Sequence, residues 1–555
     1  LRPSDESPVL ASLNRAFETE RPVNARISGM DYAPYSERRG PTGSVSDENA
    51  LRRAENLSRE AVFERETPTT LHDLGKLQIA KREFAEARKT LEKARARKPD
   101  DPSILNELGV VELLASETAA NDGDQLRLAA TALEHFDRAV QISPKFAEAW
   151  FNRSVATGKL KQPQQEAVAW REYLKVDSTS KWADEARSRL TLLEQDAPRE
   201  RSAAELIDDF LYAYRRRDRD TAFEVVSRNR EMIRGKLVTQ QLAFLFADAD
   251  PLSAQATEYL DALTFIGVVE MEKTGDPFGR DIAAFYNANG RKEHTKIKTA
   301  QDAMRDGYRL TLAGSFTEAM KPFDAAQAIF DSLGNKMESG IAAYWKAYLL
   351  QQADNITGSR AVLTAASSQA EKAGYIWLNS HYLTWLSLLE YFEDNASGRI
   401  DLARRALVLS EKCRDDYNVA RLYESLATAY LMTGSFDRSI EYASKGIGKG
   451  DSGDTSLRQR WRTLNNISHI LSMMRFYGAA KVFESEALTL TRAAIGENSY
   501  EYLSLLRLGQ IEAKRANFDA ALGHFVDSGN VASQLDIAGR ERHLAYLDLA
   551  KGHVL

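Results

Sequence analysis

Several groups of residues in this sequence have the types and spacing of reactive sites. Gly446-Ile447-Gly448-Lys449-Gly450 has the composition of a phosphate-cradling loop. Such a loop aims backbone N–H groups and a lysine at phosphate oxygens, and it needs a strand before it and a helix N-terminus after it. Here the run follows the second helix of a hairpin, so it reads as a helix ending. Gly450-Asp451-Ser452-Gly453 matches the sequence around the nucleophilic serine of trypsin-like peptidases. That chemistry requires a histidine and an aspartate brought alongside by a β-barrel. In an all-helical chain the four residues read as a turn. The one cysteine, Cys413, lies in Ser410-Glu411-Lys412-Cys413-Arg414-Asp415, where flanking charge can lower a thiol pKa. No histidine stands near it in sequence, and it reads as a passive thiol.

The eight histidines are His72, His135, His294, His381, His469, His524, His543 and His553. None forms His-Glu-x-x-His, so a metal site would have to be assembled between repeats. Arg215-Arg216-Arg217 is interrupted by Asp218 and Asp220, and positive charge at a helix C-terminus accounts for it. No catalytic, cofactor-binding or metal-binding residue is assigned, no cofactor is expected, and the chain reads as a non-enzyme. What remains is aromatic: Tyr344, Trp345, Tyr348, Trp377, Tyr382 and Trp385. Most rings at such spacing belong to a core. The others would line a concave face, where Tyr and Trp are favoured partner anchors, and these six are the candidate partner-binding residues.

The elements that position these residues are repeats. From Thr67 the small and large positions of a tetratricopeptide unit recur at a period of about 34 residues. The first copy carries Leu71, Leu74, Gly75, Ala87, Leu91, Ala94 and Pro99; the second Leu105, Leu108, Gly109, Ala132, Phe136, Ala139 and Pro144. The step from Gly109 to Ala132 is nearly twice that from Gly75 to Ala87, so the second copy carries an insertion, with Asn121-Asp122-Gly123-Asp124 as its loop. The third copy, from Trp150 and Ser154 to Trp170 and Tyr173, is degenerate at Glu166, and Trp182 to Leu190 closes the run. The small residue admits a close helix–helix approach, and Leu91 or Phe136 fills the space beside it.

A second register follows Gln301. Its small positions are Gly307, Ala347, Ser387, Ala427, Ser468 and Gly509, a period of about 40 residues. Nine positions later stand Phe316, Ile356, Ala396, Phe436, Tyr477 and Phe518; twelve later, Ala319, Ser359, Arg399, Ser439, Ala480 and Ala521. Gly314-Ser-Phe316 and Gly434-Ser-Phe436 are near-identical turns. The expected fold is an all-α solenoid of stacked hairpins, a right-handed tetratricopeptide-like superhelix in two runs. Residues 1–47, dense in proline and glycine, form an irregular arm. Residues 48–199 hold about three short repeats, 200–300 a helical connector, and 301–555 about six longer repeats.

Composition narrows the function classes. Lys+Arg 74 against Asp+Glu 80 over 555 residues leaves a net charge of −6, which argues against nucleic-acid binding. Mean hydropathy is −0.43, and no run approaches the roughly 18 apolar residues of a membrane span. A single cysteine excludes an internal disulfide. The cytoplasm is the favoured compartment, and a signal or anchor ahead of Leu1 would move the chain outside it.

The repeats resemble the tetratricopeptide superfamily over roughly residues 67–190 and 301–530. A narrower resemblance rests on Arg21-Pro-Val-Asn-Ala-Arg26-Ile-Ser-Gly29-Met-Asp-Tyr32-Ala-Pro34-Tyr35 ahead of the first repeat. That string, followed by short and then long repeats, is similar to the N-terminal region of bacterial proteins that end in a CHAT domain, a caspase-like cysteine peptidase. The resemblance implies repeats that sense or recruit partners. The peptidase itself is absent, Cys413 lies inside a repeat, and no catalytic residue carries over. The carboxylate clamp of chaperone-binding tetratricopeptide domains is not matched either: His72 and Lys76, Asn106 and Val110, Phe151 and Val155 occupy its positions.

The expected function is a scaffold that binds a protein or peptide on its concave face, as the recognition half of a CHAT-type protease. The alternatives are an autonomous assembly factor of an envelope complex, and a ligand-binding or enzymatic pocket within 200–300. Oligomeric state is left open. Overpacking predicts that Gly75→Leu or Gly509→Leu costs about 1–3 kcal/mol or more, read as a fall in thermal midpoint. Cys413→Ser leaves partner binding nearly unchanged; a folded but inactive Cys413→Ser protein refutes the passive assignment.

Overall fold

The computed structural model describes residues 7–36, 45–193, 202–228, 230, 237–450, 457–495, 498–534, 547–548 and 552. Among them are twenty-six α-helices, one π-helical turn and no strand. The chain forms two compact units, one of Leu1–Pro198 with Leu464–Leu555, the other of Arg199–Thr463.

The first unit begins with α1 (Pro8–Ala16) and α2 (Glu48–Glu64). Helix α1 departs from the expected irregular arm. Ser7 caps it by accepting the Leu10 N–H, Pro8 opens it, and Leu10, Leu13 and Ala16 are buried. Little more than two turns long, it is too short for its apolar spacing to register as a period. Three hairpins follow: α3 (Pro68–Ala80) with α4 (Phe84–Arg97), α5 (Pro102–Glu117) with α6 (Asp122–Ile142), and α7 (Ala147–Lys159) with α8 (Pro163–Val176); α9 (Lys181–Leu193) closes the run. The insertion in the second hairpin is helix rather than loop. Asn121 caps α6 by accepting the Asp124 N–H, and Asp122 and Asp124 favour the positive end of the helix dipole. Insertion therefore lengthens α6 to 21 residues.

Beyond α23 (Leu457–Met473), the same unit includes α24 (Tyr477–Leu490), α25 (Asn498–Lys514) and α26 (Phe518–Ser533). Asp137 on α6 accepts Arg153 Nε on one oxygen and Arg515 on the other, each at 2.7 Å. Burial opposes that carboxylate's charge, but the two guanidiniums prevail and hold its pKa down at about 2. Beside it the Gly478 N–H donates to Glu134, and the Gln165 N–H donates to Glu486 at 3.1 Å.

The second unit opens with α10 (Ala203–Arg215), α11 (Arg219–Arg228), α12 (Val238–Asp248), α13 (Ala254–Thr274) and α14 (Phe278–Asn289). Then come α15 (His294–Leu312), α16 (Phe316–Ser332), α17 (Lys336–Gln352), α18 (Ile356–Ala373), α19 (Ile376–Phe392), α20 (Ala396–Lys412), α21 (Asp416–Met432) and α22 (Phe436–Gly450). From α16 to α22 the helices start at one fixed interval. Two positions before each start the backbone is left-handed: Gly314, Gly334, Asp354, Gly374, Asp394, Arg414 and Gly434, with φ between 53° and 77°. The long repeat is thus two equal halves, with one turn geometry serving both within and between hairpins. Asn335, Asn355, Asn395 and Asp415 follow four of these residues and cap the next helix by accepting a backbone N–H.

Helix contact depends on the small positions. A Cβ at Gly75 would stand 2.5 Å from Leu91, one at Gly109 2.5 Å from Phe136, and one at Gly509 2.4 Å from Phe525. Where the small residue is Ala347 or Ala427, the Ser359 or Ser439 hydroxyl donates to its carbonyl at 2.8 Å. The atypical Arg399 is accommodated by the reverse bond: Ser387 Oγ donates to the Arg399 carbonyl at 3.1 Å. Its guanidinium lies over Tyr391, 5.2 Å away, and donates to Ser425 Oγ.

The glycine-rich run from Gly446 lies in the last turns of α22, which ends at Gly450. It is the end of a helix, as its sequence context predicts. Asp451, Ser452 and Gly453 lie outside the described residues. Ala516 holds the left-handed position ahead of α26 at φ +59°. A side chain there costs about 1–2 kcal/mol, partly offset by glycine's entropy. Ala516→Gly is therefore expected to stabilise the protein by about 0.5–1 kcal/mol, measured as a rise in denaturation midpoint.

Candidate peptide groove

Residues 21–36 have no regular secondary structure, so their backbone groups need partners elsewhere. In the first unit, α5 and α7 supply them. Asn152 Oδ1 accepts the Arg26 N–H at 2.7 Å, and Asn152 Nδ2 donates to the Arg26 carbonyl at 2.8 Å. Asn106 Nδ2 donates to the same carbonyl at 3.1 Å, and Glu107 accepts the Ser28 N–H at 2.8 Å. The Asn106 amide oxygen accepts from Asn152 at 2.9 Å, which fixes both amides. Asn106, Glu107 and Asn152 are each completely buried. One backbone segment thus satisfies three polar side chains on the first-helix face.

Two arginines anchor it. Arg21 forms a bidentate pair with Glu185, both bonds at 2.8 Å, and also donates to the carbonyls of Val23 and Ala33. Arg26 donates to Tyr173 Oη at 2.9 Å and to Asp177 at 3.1 Å. The Trp182 ring lies 4.8 Å from each guanidinium, and Tyr32 meets its edge at 5.0 Å. Burial works against the Glu185 carboxylate, yet the bonds from Arg21 and the charges of Arg21 and Arg189 outweigh it and hold its pKa low. Asp177 is likewise held low: burial is overcome by bonds from Ser180 and Tyr173 and by Arg26. Val23 and Ala25 are buried between the anchors, and Ile27 is buried just beyond Arg26.

In the second unit α11, α12 and α14 cover the first helices of the repeats. Asp276 accepts the Trp377 N–H at 2.7 Å, Tyr375 Oη donates to Asp281, and the Tyr286 hydroxyl donates to Glu338 at 2.9 Å. Phe278 packs on Tyr375 and Trp377 at 5.6 and 5.1 Å. Of the six aromatics singled out in the sequence, Tyr344, Trp345, Trp377, Tyr382 and Trp385 are buried and Tyr348 is half-buried. Trp345 stacks on Phe323, Tyr348 on Trp385, and Tyr382 Oη donates to the Gly340 carbonyl. Glu338, surrounded by Tyr286, Gln301 and Asn335, is raised to about 7 by burial.

His381 and Asp415 pair at 2.8 Å with both side chains buried. Cys413 is fully buried, and its thiol donates to the Ser410 carbonyl. Burial rather than flanking charge governs that thiol and pushes its pKa well up. Within 200–300, a cavity of about 10 Å³ is lined by Arg230, Thr239, Glu270 and Asp276, with Arg230 paired to Glu270 at 2.8 Å. That is room for one water. Among the described residues no three His, Cys, Asp or Glu side chains converge as metal ligands, and no helix is long and apolar enough to cross a membrane.

In the sequence the arm motif and Asn106 stand far apart with nothing to join them, and Asn152 falls between the clamp positions Phe151 and Val155. Asn152→Ala strands the partly buried Arg26 N–H and the buried Asn106 amide oxygen, at a cost of about 1–3 kcal/mol. Amide exchange at Arg26 should accelerate while α15–α22 stay unchanged; an unaltered Arg26 rate refutes the clamp.

No family model matches the chain, and no curated protein matches it in sequence. Solved structures similar to it are repeat proteins. The APC/C hetero-tetramer Cut9–Hcn1 is 12% identical with TM-score 0.38, covering 92% of this chain and 94% of that one. Yeast Tom70 is 14% identical with TM-score 0.35, covering 87% and 96%. The TPR domain of P58(IPK) is 13% identical with TM-score 0.24, covering 87% and 98%. At that distance no partner or activity passes to this chain. Its own hairpins, with small residues opposed to large ones, are those of an all-α tetratricopeptide-type solenoid.

Proposed function

We propose that the chain is a non-enzymatic scaffold that holds protein segments as extended peptides on its first-helix faces. The observation that carries this reading is the two-way bond between Asn152 and the Arg26 backbone. Side-chain amides that grip N–H and C=O bind any extended chain, while flanking pockets select its side chains. The groove around Asn106 and Asn152 has both parts. In the second unit, Tyr348 is the candidate aromatic with most ring left accessible, and we assign it to partner contact. The finer reading follows the resemblance at Arg21–Tyr35: this scaffold is the recognition and regulatory part of a bacterial CHAT-type protease, working in the cytoplasm.

Panning the full chain carrying Arg21→Ala and Arg26→Ala, which loosens the arm from the groove, against a displayed random-peptide library tests the scaffold reading. Capture of peptides should fall with Asn106→Ala and with Asn152→Ala, and persist with Tyr212→Ala, an exposed ring away from the groove. Enrichment indifferent to both asparagines sinks it. The protease association has its own check: a reading frame continuing past Leu555 into strands with His and Cys supports it, and an immediate stop codon removes it.

A further inference from the structure

The groove of the first unit already has an occupant, and its chemistry says what else fits. The arm presents Arg21 and Arg26, five positions apart, to Glu185 and Asp177 on either side of Trp182. At the second anchor and just beyond it, at Arg26 and Ser28, the backbone is held by side chains rather than by a strand or helix. This is how a separate peptide is bound, with affinity from main-chain bonds and selection from end pockets. The lining is also unlike a core. Asn106, Glu107, Asn152, Asp177 and Glu185 are polar groups that water can satisfy when the segment leaves, so emptying the groove does not expose an apolar interior alone. Arg189 donates to Asn24 and to Glu185 Oε1, which it shares with Arg21, while Oε2 is met by Arg21. It orients the carboxylate and leaves Oε2 to the arm's guanidinium alone.

We propose that this groove is a receptor for extended segments carrying two arginines five positions apart, and that the chain's own residues 21–35 are its resident, displaceable occupant. The inference rests on the peptide-binding reading above and adds the ligand and its control. A tethered occupant has a high effective concentration, so a peptide in trans binds poorly until the arm is released. The scaffold is therefore closed in its resting form. Whatever pulls on the arm, or outcompetes its arginines, opens it.

The probe is a synthetic peptide of Glu20–Tyr35, labelled and titrated into three full-length proteins: wild type, Arg21→Ala/Arg26→Ala, and that variant with Asn152→Ala added. Fluorescence anisotropy should show at least tenfold tighter binding to the arm variant than to wild type, and at least a tenfold loss on adding Asn152→Ala. A scrambled peptide of the same composition should bind the arm variant at least tenfold more weakly. If native and scrambled peptides bind alike, both through Asn152, the arginine spacing falls while the scaffold reading stands. If neither binds any of the three proteins, both fall. Loss of cooperative folding in the arm variant also overturns the proposal, because residues 21–35 would then be a fixed part of the core. Mixing the arm variant with the Asn152→Ala single variant provides the remaining arm: a 1:1 complex in sedimentation would assign the groove to a second copy's arm and overturn a peptide partner.

Discussion

One backbone conformation governs the second unit. A left-handed residue two positions before each helix reverses the chain within a few residues, and it recurs at one fixed interval from Gly314 to Gly434. With turns so short, successive helices are forced antiparallel and close. Closeness then makes its own demand, which the sequence meets with glycine against Leu or Phe, or with alanine bonded by a buried serine. Helix length, hairpin contact and repeat period are three expressions of that one turn.

A solenoid built this way leaves the faces of its first helices uncovered, and this chain covers both for itself. The first unit lays an extended arm on α5 and α7; the second lays α11, α12 and α14 on the first helices of its repeats. The two solutions differ in chemistry. The arm is held by side-chain amides and ion pairs around one tryptophan, with Val23, Ala25 and Ile27 buried beneath it, whereas the second covering joins the bonds of Asp276, Asp281 and Tyr286 to the packing of Phe278 on Tyr375 and Trp377.

The period of the repeats is legible in the sequence because steric exclusion permits few residues at the close approach. Gly75, Gly109, Gly307 and Gly509 announce it, and in the long repeats the second helices begin at the large residues nine positions on. The half-period is hidden because glycine, aspartate and arginine all serve at the left-handed position. The groove is hidden for another reason. Asn106 and Asn152 look like ordinary polar residues of a helix until the segment that satisfies them is in place. One sign is readable: Ile376–Phe392 is apolar on nearly every side, and such a helix must be covered all round. On the first-helix face that covering comes from α14, one of five helices of unequal length, α10 to α14, that keep no period.

Asp137 meets Arg153 close by in the chain and Arg515 far beyond it. The first unit is consequently discontinuous, with residues 199–463 inserted between its halves. Translation at about 5–20 residues per second separates those halves by roughly 15–50 s. During that interval Asp137 is a buried-site carboxylate lacking one of its two cations, and the outer surface of α6 and α8 awaits α24. The nascent chain thus carries an unfinished face, completed only by residues made much later.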